Sequence, residues 1–150
     1  MPSVLILNGP NLNLLGTRQP EIYGTVTLED IERMCERHAA ERWGWRARCL
    51  QSNHEGVLID ALHDARGIHD GVVLNAGGYT HTSIALMDAI SSTDLAVVEV
   101  HLSDIHAREP FRHHSYIEPV AIAQVCGMGA PGYIQALDLL HAHLTGRAAS

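Results

Sequence analysis

Lysine is absent from this chain: all 10 of its Lys+Arg residues are arginines. No Schiff base can therefore form with a ketone, no covalent pyridoxal site can be built, and no phosphate loop can end in Lys-Ser/Thr. A coding preference for arginine would leave the same gap, and the chemical exclusion holds either way. Positive charge is scarce altogether, since 17 Asp+Glu outweigh those arginines and the formal net charge is −7. A nucleic-acid partner calls for the opposite balance. Long apolar runs are missing, every one falling far short of the ~20 residues of a membrane span. Met1-Pro-Ser3 leads into an apolar segment with no basic stretch, unlike a secretory signal, so a cytoplasmic location is expected. Cys35, Cys49 and Cys126 are odd in number, widely spaced and form no CxxC. They are expected as reduced thiols, not as a disulfide or zinc framework.

What is present suits a single domain. The chain has 150 residues, 46% of them apolar and 18% charged, without repeat or linker. Val4-Leu-Ile-Leu7 is a buried strand running into Asn8-Gly-Pro10. Residues 8 to 26 then lack periodicity, as binding loops and lids do. Thr27 and Asp30 resemble a capping box ahead of Leu28, Ile31, Met34, Cys35 and Ala39 at helical spacing, closed by Gly44. A strand over 46–51 follows, then a helix opening at Asn53 or His54 and closing near Gly67. Further strands are expected at 72–74, 95–102 and 120–126, with helices over 80–90 and from about Pro131. Continuous apolar strands separated by helices predict a parallel sheet covered on both faces, a flavodoxin-like doubly wound α/β fold of five strands. Its ligands bind at the carboxyl ends of the strands.

Those strand ends are polar. There is no GxGxxG for a dinucleotide, and no acidic pair after the first strand such as a phosphoacceptor domain needs. Glu99 and His101 are two apart on a strand and share a face. Such a pair is either a structural couple or a carboxylate-supported general acid. Gly77-Gly78 with Thr80, Thr82 and Ser83 opens a helix, as an anion cradle or through ordinary capping by Thr80. Asp88 sits in an apolar helix that could bury one face against the sheet and the other against a neighbouring subunit. There it would either reach the partner's site or form an interface ion pair. Arg18, Arg108 and Arg112 are candidates to gather around Tyr23; guanidiniums within ~4–6 Å would stabilise a tyrosinate by roughly 3–5 kcal/mol. The histidines, 11 in all, show no recognised metal-ligand spacing, and no metal is expected.

Six blocks of sequence then resemble one family, type II 3-dehydroquinate dehydratase. They are Asn8-Gly-Pro-Asn-Leu-Asn-Leu-Leu-Gly16, Arg18-Gln-Pro-Glu-Ile-Tyr-Gly24, Gln51-Ser-Asn-His-Glu-Gly56, Asn75-Ala-Gly-Gly-Tyr-Thr-His-Thr-Ser83, Val98-Glu-Val-His-Leu-Ser103 and His106-Ala-Arg-Glu-Pro-Phe-Arg-His-His-Ser115. The resemblance spans nearly the whole chain, omitting a tail after about residue 144 that is expected to be loose. It departs at Asp104, where the family usually carries Asn. The resemblance implies anti elimination of water from 3-dehydroquinate through an enolate, giving 3-dehydroshikimate without metal or cofactor. It implies Tyr23 as base with Arg18 lowering its pKa, Asn11 at the enolate oxygen, and His101, supported by Glu99, as acid. Asn75, Gly77, Gly78, His81, Arg108, Arg112 and the Leu102/Ser103 backbone would hold substrate. Asp88 would reach an adjacent subunit within trimers that build a homododecamer. The missing lysine fits, because an unrelated class of dehydratase performs this reaction through a lysine Schiff base. The alternatives are a non-catalytic flavodoxin-like module binding a small polyol carboxylate, or a metal-assisted hydrolase built on the His-rich stretch.

Overall fold

The first strand, β1 (Ser3–Asn8), is buried along its whole length, as expected of a strand with neighbours on both edges and helices on both faces. The computed structural model describes residues 2–17, 21 and 24–146. Beside β1 lie β2 (Arg46–Gln51), β3 (Gly71–Asn75), β4 (Ala96–His101) and β5 (Ala123–Cys126), all parallel, in the order β2-β1-β3-β4-β5. Helices α1 (Leu28–Trp43), α2 (Glu55–Ala65), α3 (Ile84–Thr93) and α4 (Pro131–Thr145) connect and flank them. This is the flavodoxin-like order that the strand–helix alternation predicts.

The period of two along β1 sorts its side chains between two cores. Val4 and Ile6 pack with Ile31, Cys35 and Ala39 of α1 and with Tyr133, Ala136, Leu137 and Leu140 of α4. Leu5 and Leu7 pack on the other face with Leu58 and Leu62 of α2 and Leu86, Ala89 and Ile90 of α3. Leu144 joins the first core only at its margin. The chain leaves β1 toward β2 and leaves β3 toward β4, so the loops after these adjacent strands diverge and open a crevice at their carboxyl ends.

Most element boundaries agree with the sequence. Thr27 and Asp30 form a reciprocal capping box, and Gly44 ends α1 at φ +68°. Two boundaries differ. Helix α3 begins at Ile84, and Gly77–His81 forms a separate 3-10 turn. Ser83, not Thr80, caps α3, accepting the Leu86 N–H at 2.9 Å. Strand β5 begins at Ala123, because Pro119 sits in a 3-10 turn over Glu118–Val120 just before it. No helix among the described residues is long and apolar enough to cross a membrane. The three cysteines are free. Burial pushes Cys35 up to about 12 and Cys126 up to about 11, so neither is a thiolate nucleophile at neutral pH.

Candidate active site

At the end of β4 the expected Glu99–His101 couple is formed: His101 Nε2 lies 2.6 Å from Glu99 Oε2, and both residues are buried. Three further donors converge on this carboxylate. Thr80 Oγ1 donates to Oε2 at 2.9 Å, Ser115 Oγ donates at 2.8 Å, and Gln124 Nε2, from the paired register position on β5, donates to Oε1 at 2.9 Å. Burial alone would raise the Glu99 pKa. Hydrogen bonds from His101, Gln124 and Ser115, with the charge of His101, hold it below the usual carboxylate range. An ionised carboxylate fixed in this way accepts the His101 Nε2 proton and leaves Nδ1 as the ring nitrogen available to a ligand.

Thr80, Ser115 and Gln124 are the members of this cluster whose role the sequence conceals. Gln124 carried a signal, as an amide in an otherwise apolar strand. Thr80 is drawn to Glu99, which is why it does not cap α3. Much of the expected anion cradle is likewise engaged inside the protein. The Gly77 N–H donates to Asn75 Oδ1 at 3.1 Å, and the Ser83 hydroxyl serves Leu86.

The neighbouring loops are laced together. Gly9 lies so close to the β3 loop that an added Cβ would sit 2.6 Å from the Ala76 carbonyl oxygen. Its N–H donates to the Asn75 carbonyl at 2.7 Å. Asn11 takes a left-handed φ of +69° and donates its N–H to Asn53 Oδ1 at 2.9 Å. Gln51 Nε2 bonds Asn53 Oδ1 at 3.1 Å, and the Tyr79 hydroxyl donates to the Asn53 carbonyl at 2.9 Å. Asn53 therefore joins the loops after β1, β2 and β3, and the exposed Asn11 side chain is carried by that junction.

His81 bonds the His114 carbonyl through Nδ1 at 2.8 Å, and its ring lies 6.4 Å from that of His101 at an interplanar angle of 19°. Past β4, the carbonyls of Leu102 and Ser103 accept the N–H groups of Gly129 and Gly127 at 3.0 and 3.1 Å. Asp104, the departure from the family pattern, turns to its own segment and accepts the His106 N–H at 3.0 Å. Arg112 and Arg108 both face Glu109, with Nε–O distances of 3.0 and 3.7 Å. The backbone amide at Glu109 and then the Arg112 guanidinium hold that carboxyl below its ordinary value. Asp88 is exposed on α3 beside half-exposed Ile84, so within one chain only one face of this helix is buried. Arg18 and Tyr23 lie outside the described residues. No cluster of three His, Cys, Asp or Glu able to hold a metal occurs among the described residues.

Residues 2–141 match the family model described as Dehydroquinase class II. A 3-dehydroquinate dehydratase from Ruegeria pomeroyi is 66% identical over 145 residues, covering 97% of each chain. One from Dinoroseobacter shibae is 62% identical over 142 residues, covering 95% of this chain and 94% of its own. Among solved structures, a type II dehydroquinase from Butyrivibrio crossotus superposes with a TM-score of 0.89 at 42% identity, covering 93% of this chain and 97% of that one.

Proposed function

Since this chain belongs to the class II dehydroquinases and dehydrates 3-dehydroquinate as a hydro-lyase of the shikimate pathway, we propose that it does so by stepwise anti elimination through an enolate. The observation that carries the proposal is the buried Glu99–His101 couple at the end of β4, with its 2.6 Å contact.

Tyr23, made available as a tyrosinate by Arg18, takes the proton from C2, and the C–H electron pair moves into an enolate whose oxygen Asn11 stabilises. Arginine suits this place because it does not lose its own proton. The enolate then collapses to the enone. The C1–O bond breaks, and His101 delivers its proton to the departing hydroxyl, which leaves as water. The proton gained by Tyr23 and the one lost by His101 balance, so the enzyme is restored by exchange with solvent. Glu99 keeps His101 oriented through their 2.6 Å contact. Asn75, His81, Arg112, Gly77, Gly78, Arg108 and the Leu102/Ser103 backbone hold the substrate hydroxyls and carboxylate. No metal or cofactor enters any of these steps. The working assembly is a cytoplasmic homododecamer of trimers in which Asp88 completes a neighbour's site.

Enone absorbance should appear when the purified protein meets 3-dehydroquinate. Tyr23→Phe should lower turnover by about 10²–10⁴-fold, the usual worth of a general base, while a competitive inhibitor still binds. Near-wild-type turnover by that variant would remove Tyr23 from the base role. Borohydride added with substrate should leave activity intact, since no lysine is present to be trapped.

A further inference from the structure

Tyr133 is the largest side chain in the described structure with no exposure, and it stands in an otherwise apolar core between α4 and the sheet. A phenol there is worse placed than a phenylalanine unless its hydroxyl is used. That hydroxyl reaches the carboxyl ends of β1 and β3, where Asn8 and Asn75 face each other in register. It donates to Asn8 Oδ1 at 2.6 Å and accepts from Asn75 Nδ2 at 2.9 Å.

The polarity of this chain is set from one end. The Gly77 N–H can only donate, and it lies 3.1 Å from Asn75 Oδ1. Asn75 must therefore turn its NH₂ to Tyr133, and the Tyr133 proton must go to Asn8 Oδ1. Asn8 is left with its Nδ2 buried and without a partner, the one such side-chain atom among the described residues. Its amide is given up to supply an acceptor for the tyrosine proton. Burial pushes the Tyr133 pKa far above that of an ordinary phenol, so that proton stays in place at any working pH. The second hydrogen of Asn75 Nδ2 has no acceptor among the described residues.

We infer that Tyr133, backed by Asn8, is a positioning residue for substrate binding: it fixes the Asn75 amide so that a hydrogen, and not a lone pair, meets a substrate hydroxyl or carboxylate oxygen. The inference rests on Asn75 binding substrate, as proposed above. In the sequence Tyr133 reads only as one of the apolar positions of the last helix.

A kinetic double-mutant cycle tests this. Tyr133→Phe should raise KM for 3-dehydroquinate about five- to tenfold with kcat within about twofold, the signature of lost uniform binding. In an Asn75→Ala background it should add nothing, because its effect passes through Asn75. Asn8→Ala should move KM in the same direction, again only when Asn75 is present, and serves in place of Tyr133→Phe if the latter folds poorly. Leu137→Ala, one turn along α4 and equally buried, should lower thermal stability and leave KM alone. A KM effect of Tyr133→Phe that persists in full without Asn75, or an equal one from Leu137→Ala, would mean a merely structural role and overturn the inference. If Asn75→Ala itself leaves KM unchanged, the substrate-binding role of Asn75 fails and takes the inference with it. A raised KM in Asn75→Ala beside a normal KM in Tyr133→Phe sinks the inference alone.

Discussion

Glu99 is a buried carboxylate with four side-chain donors, from His101, Thr80, Ser115 and Gln124. Left unpaired it would be among the most destabilising groups in the core; paired in this way it stays ionised. Its folded pKa is lowered relative to the unfolded chain, so its stabilising contribution is complete above the ordinary carboxylate value, ~4.3, and is lost as pH falls through the lower folded value. Glu99→Gln keeps the shape but places an NH₂ among donors. Urea unfolding at pH 7 should find it less stable by about 1.5–3 kcal/mol. The gap to wild type should close as the pH is lowered into the range where Glu99 protonates, and a constant gap would contradict the charge-based account. Turnover should fall by about 10²-fold or more, since the acid loses its anionic support.

Helix starts separate local from tertiary information. The α1 start was legible because Thr27, Asp30 and Gly44 satisfy each other or the helix end within a few residues. The α3 start was not, because the choice between Thr80 and Ser83 depends on a carboxylate 19 residues away from Thr80 in the chain. The same distinction divides the site. Glu99 and His101 could be paired from strand periodicity alone, whereas Ser115 and Tyr133 join their partners across sequence separations of 16 and 125 residues. Asn53 was legible as a candidate helix start and as part of a family string, but its bridging of three loops is a tertiary fact. Two substitutions in one segment should therefore act differently. Ser83→Ala removes a helix cap and should cost about 1 kcal/mol of stability while sparing kcat. Thr80→Val leaves the cap intact and withdraws one donor from Glu99, so it should lower kcat and flatten the acid limb of the stability curve. Thermal melts and steady-state kinetics on both variants check the contrast, and equal loss of kcat in the two would refute it.

At the scale of the whole molecule, one chain leaves α3 half covered, with Ile84 51% exposed and Asp88 beside it at the surface. In the assembly proposed above a neighbour packs on this face, and Asp88 serves that neighbour's site. Sedimentation should then find an assembly far above the 16.4 kDa of one chain. A stronger check uses two variants that should each be inactive alone, His101→Ala and Asp88→Ala, co-expressed at equal levels. In a ring of heterologous contacts each site draws His101 from one subunit and Asp88 from the next. Random assembly leaves roughly a quarter of the sites with both groups intact, so about that fraction of wild-type activity should return. If Asp88 instead served its own subunit, every site would lack one group or the other and mixing would restore nothing. Recovery near zero in assemblies shown to contain both variants would confine Asp88 to its own chain and leave the exposed face of α3 without a catalytic purpose.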